Sequence, residues 1–150
     1  MSYLNIISDA KPTLVRPTQN YLNVPTLKYY LHSGLDVHPP IPVVHDPRDN
    51  THYSAIDGHH QLVLSALMGI AVSLWVVNSP RDIMPYSLVS KNYSHEIDAR
   101  NQQIKKRIDY AYNFEPIKSD GSVIVTLDDL MDNARVKSTL LSMIAQKSKI

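Results

Sequence analysis

Tyr53-Ser54-Ala55-Ile56-Asp57-Gly58-His59-His60-Gln61-Leu62-Val63-Leu64-Ser65-Ala66-Leu67-Met68-Gly69 is the stretch that decides the fold. Residues 52–56 read as a strand, and Asp57-Gly58 ends it. Residues 60–68 are apolar over helical length, and Gly69 closes them as a C-terminal cap. A strand delivered through Asp-Gly into a helix is an α/β unit with its loop at a helix N-terminus. Gly58 lets the backbone turn sharply and approach a ligand closely. The helix start presents N–H groups and a positive dipole end, which favour an anion and phosphate above all. His59 and His60 add donors that titrate near neutral pH. Asp57 is placed to order a histidine or to hold Mg²⁺.

Working upstream, residues 41–45 predict a strand after Pro39-Pro40. The turn formers Asp46-Pro47-Arg48-Asp49-Asn50 join it to 52–56 as a hairpin. Residues 24–33 predict a helix with Pro25 in its first turn, Leu27, Tyr30 and Leu31 on one face, and Gly34 behind it. Residues 13–16 predict a short strand stopped by Pro17. Downstream, residues 71–77 predict a central strand holding Trp75 in the core. Ser79-Pro80-Arg81-Asp82 is a helix start. Residues 94–112 predict a long amphipathic helix with Ile97, Ile104, Ile108 and Ala111 on its stripe. Residues 123–125 predict a last short strand. Thr126-Leu127-Asp128-Asp129 opens a final helix that turns Leu127, Leu130, Met131, Ala134, Leu141 and Ile144 inward. The expected fold is α+β: one domain over 1–150, a small mixed sheet in a core of about 12–78, and a helical extension over 79–150 packed on that sheet.

Composition bounds the rest. The 150 residues are 43% hydrophobic and 19% charged, a globular balance. A net charge of +1 gives no global field toward nucleic acid or an acidic membrane. No cysteine occurs, which removes disulfides, zinc–thiolate sites and thiol catalysis. No signal peptide pattern opens the chain. The apolar run within 62–77 is broken by Ser65, Gly69 and Ser73, short of the ~20 residues of a membrane span. A cytoplasmic protein is expected. No Gly-x-Ser-x-Gly elbow marks a serine nucleophile. A metal site on His52, His59 and His60 is disfavoured, because neighbouring histidines on a helix point apart. Arg100, Lys105, Lys106 and Arg107, with Lys147 and Lys149 in the tail, offer a basic face for nucleic-acid phosphates, against the plainer reading of a solvated helix surface. Nine tyrosines against one phenylalanine include Tyr29-Tyr30 and the pair Tyr110 and Tyr112, read as amphipathic core-edge residues with base stacking as the alternative.

Pro39-Pro40-Ile41-Pro42-Val43-Val44, a turn, a strand and Ile56-Asp57-Gly58-His59-His60 before an apolar helix resemble the ParB/sulfiredoxin superfamily. Val15-Arg16-Pro17-Thr18-Gln19 resembles the Arg-Pro-Thr-Gln box of its ParB-like nuclease branch. The resemblance covers roughly residues 12–78. It implies a site for a nucleotide, ATP or CTP, with Mg²⁺. Gly58, His59, His60 and Gln61 would hold phosphates, Arg16, Thr18 and Gln19 would close the site, and His60 and Asp57 would be the catalytic candidates. Nucleotide hydrolysis, phosphoryl transfer and DNA cleavage are the implied activities. Departures from the pattern open two alternatives. Gln61 stands where the family usually has a phosphate-gripping arginine, which favours a non-catalytic binding or regulatory module. A small-metabolite kinase related to the free-serine kinases needs a carboxylate base, yet no glutamate precedes Glu96, and an aspartate such as Asp36 would have to substitute. Sulfiredoxin chemistry lacks its cysteine, and no helix-turn-helix is recognised after Asn78.

Overall fold

The computed structural model describes residues 5–34, 40–79, 81–83, 93–113 and 115–148. Pro39, Asp36, Pro80 and Lys149 lie outside them. Five strands form one mixed sheet: β1 (Asn5–Ala10), β2 (Val15–Arg16), β3 (Ile41–His45), β4 (Tyr53–Ala55) and β5 (Val72–Val76), in the order β1-β5-β3-β4-β2. β3 pairs antiparallel with β4 and parallel with β5; β1–β5 is antiparallel and β2–β4 parallel. The expected α+β class with a small mixed sheet is therefore observed. Five helices accompany it among the described elements: α1 (Val24–Ser33), α2 (His59–Met68), α3 (Ile97–Asn113), α4 (Leu127–Ala134) and α5 (Lys137–Ser148).

Strand alternation sends successive side chains to opposite faces. Val43, Val72, Leu74 and Val76 join one apolar cluster with residues of α1, α2, α4 and α5. Val44, Trp75 and Val77 join a second cluster with Ile104 and Ala111 of α3. The sheet is thus covered on both faces, which explains the almost continuous apolar run of β5. The extension divides accordingly. α3 lies against β3 and β4, whereas α4 and α5 meet α2, and α5 also meets α1. Expectation had all of it on the sheet.

Several boundaries differ from the sequence reading. Pro12 leads a short 3₁₀ turn, Pro12–Leu14, so the strand expected at 13–16 shrinks to Val15–Arg16. Residues 123–125 make only one bridge, Val123 with Ile117. The long helix starts at Ile97, and Ile97 itself is exposed while Ile104 and Ala111 are buried. The last helix is two. Thr126 and Asp129 form the capping box of α4, but Arg135 turns left-handed at φ 58° and ends it. That break changes the helical phase, so Leu140 is buried and Leu141 is exposed. No helix among the described residues is long and apolar enough to cross a membrane.

Candidate functional site

β2 and β4 run parallel, so their C-terminal ends deliver residues 17–19 and 56–58 to the same edge of the sheet. The turn at that edge is built locally. The Gly58 N–H donates to Asp57 Oδ1 at 2.8 Å. Gly58 is left-handed, φ 79° and ψ 23°, and caps α2 without a side chain. A Cβ there would lie 3.2 Å from Cγ2 of Ile41 on β3. The Leu62 N–H reaches the Gly58 carbonyl at 3.0 Å, closing the first turn. A helix leaves its earliest N–H groups without intrahelical partners, here those of His59, His60 and Gln61.

Both histidines reach across to the segment after β2. The Thr18 N–H donates to His59 Nε2 at 2.9 Å, and Thr18 Oγ1 donates to the Ala55 carbonyl at 2.7 Å. The Asn23 N–H donates to His60 Nε2 at 2.9 Å. An imidazole that accepts at Nε2 carries its proton at Nδ1. Each ring is thus a neutral clamp on residues 18–23 and, through the Asn23 cap of α1, on that helix start. Burial pushes His59 down to about 3, with His60 adding in the same direction. Burial also lowers His60, while the Asp57 carboxylate opposes the fall.

The opposite side of the loop belongs to α3. Arg107 Nη1 lies 3.5 Å from Asp57 Oδ2. Its guanidinium carbon sits 4.6 Å from the centre of the Tyr93 ring, a cation–π arrangement. Asp57 Oδ2 is buried and has no hydrogen bond among the described residues. Burial, with the Asp57 charge second, raises Tyr30 of α1. Burial raises Tyr93 to about 12; Arg107 opposes that rise and Asp57 adds to it. One carboxylate is therefore felt by α1, the loop and the approach to α3.

The sequence-predicted residues separate into groups. Asp57, Gly58, His59, His60 and Thr18 come together. Gln61 is buried at 8% exposure, on the inner side of α2. Gln19 bonds locally, its Nε2 donating to the Tyr21 carbonyl at 2.8 Å. Arg16 lines a different cavity of about 450 Å³ with Asp46, Arg48, His52 and Glu115, where Arg48 and Glu115 are ion-paired. The basic face of α3 divides too: Lys105 and Lys106 are exposed while Arg107 turns to the loop. Sequence reasoning missed Arg107 as a loop residue. Its signal was position: it falls between Ile104 and Ala111 of the buried stripe, at the edge of the face that meets the sheet. Among the described residues no group of three histidine, aspartate or glutamate side chains converges as a metal site requires. Comparison with protein-family models, with curated proteins and with solved structures finds no match for this chain.

Proposed function

We propose that the protein binds a nucleotide through its phosphates at the start of α2, as a ParB-like module. The observation that carries this reading is the glycine-led start of α2, which has no side-chain cap, with residues 18–23 pinned beside it by two neutral histidines. Helix N–H groups and the dipole complement phosphate oxygens, and a left-handed glycine lets them approach. The histidines do not act as phosphate donors through Nε2, because each Nε2 already accepts a backbone N–H. They hold the walls of the site. This favours a binding or regulatory module over catalysis by His60. A Mg²⁺ ion would enter with the phosphates.

Thermal unfolding with ATP, CTP, GTP, ADP and phosphate, each with and without Mg²⁺, tests the reading. A ligand at about 100 times its Kd adds about 2.7 kcal/mol. That raises Tm by roughly 5–10 °C in a domain of this size. A rise with one nucleotide and no product on incubation is the expected result. No rise with any of them removes the proposal, and turnover lost in His60→Ala would restore the catalytic alternative.

A further inference from the structure

Two consecutive imidazoles close the seam between α2 and residues 18–23, and they are not equivalent. His59 is 4% exposed, and its partner, the Thr18 N–H, is buried with it. Thr18 has a second anchor in its hydroxyl, which donates to the Ala55 carbonyl. His60 is only half-buried, and the Asn23 N–H that it accepts at 2.9 Å belongs to an exposed residue. Asn23 is also the cap of α1, its Oδ1 accepting the Thr26 N–H at 3.1 Å. The His60 bond therefore fixes the residue on which the first turn of α1 is built.

A neutral ring accepts at Nε2, and a protonated ring donates there. Two donors cannot share a bond, so one proton removes the contact outright. The half-buried ring takes that proton before the sealed one, because it loses less hydration. The groups around His60 support this order. Asp57, in the loop before α2, favours the imidazolium, and its buried Oδ2 accepts no hydrogen bond among the described residues. His59, on α2 itself, stays neutral. From α1, Tyr30 faces the same carboxylate, and from α3, Arg107 stands 3.5 Å from it. The segment 18–23 brings Tyr21, which faces Tyr110, and α4 brings Asn133, an uncharged amide donating to the Asn20 carbonyl.

We propose that His60 is a proton-operated latch on α1: protonated at Nε2, it releases the Asn23 N–H and frees the first turn of that helix, while His59 beneath it keeps Thr18 in place. Leu27 and Leu31 are buried in the core and hold the rest of α1 down, so the opening is local. It needs no ligand and stands apart from the nucleotide reading. Burial sets His60 below the ordinary 6.5, so the latch is closed above pH 6.5 and opens as the pH falls through that lowered value. His59, at about 3, titrates afterwards.

The test is nuclear magnetic resonance of the ¹⁵N-labelled full chain, without ligand, from pH 7 to pH 4. Imidazole nitrogen shifts report protonation of each ring, and amide shifts report Thr18, Asn23, Thr26, Leu64 and Leu74. Asn23 and Thr26 should move together with the His60 ring, the ratio of released to latched form changing about tenfold per pH unit. Thr18, Leu64 and Leu74 should hold their positions through that transition. H60Q, which keeps an acceptor but does not titrate, should abolish the movement at Asn23. D57N, which keeps the Oδ1 that accepts the Gly58 N–H, should carry it to lower pH. Asn23 still in place after His60 is protonated, Thr18 and Leu74 moving with it, or the same transition in H60Q overturns the proposal. If H60Q does not fold, a midpoint in D57N that is unmoved or raised overturns it.

Discussion

His59 carries a consequence at the scale of one residue. Its ring is buried, with His60 beside it, so its pKa lies at about 3 in the folded chain against 6.5 for the free side chain. Between those values the unfolded chain takes up a proton that the folded chain refuses. Stability is therefore complete above about pH 6.5 and falls as the pH drops toward 3. The slope is about 1.4 kcal/mol per pH unit for one such group. His60 is lowered too and acts in the same direction. Urea unfolding from pH 7 to pH 4 should show this decline, and His59→Gln, which keeps an acceptor but does not titrate, should flatten much of it. An equal slope in the variant would mean that His59 is not held neutral. Asp57, Gly58, His59 and His60 were legible as one loop because a strand, a glycine turn and a helix start follow in order, whereas Thr18, two residues past the end of β2, was joined to them only through the resemblance. Arg107 was not legible. It lies fifty positions downstream of Asp57, and its charge resembles that of its exposed neighbours Lys105 and Lys106. Arg16 lines another cavity and Gln19 bonds to the Tyr21 carbonyl, because a motif gives adjacency along the chain, not the direction of each side chain.

At the scale of elements, the start of α2 depends on Gly58. A left-handed conformation costs an L-residue about 1–2 kcal/mol. The new methyl would also press on Ile41, 3.2 Å away. Gly58→Ala should lose about 1–3 kcal/mol in chemical denaturation. A neutral result would show that the turn relaxes and that the loop is not fixed by its backbone. Most elements were readable where pattern and punctuation agreed, as in α1, whose Asn23 cap, early proline and Gly34 fall at its ends. β1 was not readable. It is an edge strand with a mostly exposed pattern and a bulge between Ile7 and Ala10, so it shows no buried alternation. The break between α4 and α5 was hidden because Arg135, not glycine or proline, makes the left-handed turn.

At the scale of the whole molecule, the sheet is a partition. One face carries α1, α2, α4 and α5, the other carries α3, and the loop at 57–60 crosses the edge between them. The candidate site is where these layers meet: the start of α2 from one side, Arg107 of α3 from the other, and residues 18–23 drawn in by the histidines. Such a place assembles only when the fold is complete, which is why composition and charge did not reveal it. The net charge of +1 says nothing of this place, where Asp57 and Arg107 set the local balance.

The most direct test follows backbone amide resonances of the ¹⁵N-labelled protein during titration with ATP and Mg²⁺. The account predicts that Gly58, His59, His60 and Gln61 shift first and furthest. Saturable shifts that leave these amides still and gather instead around Arg16, Arg48 and His52, or no shifts at all, would contradict it.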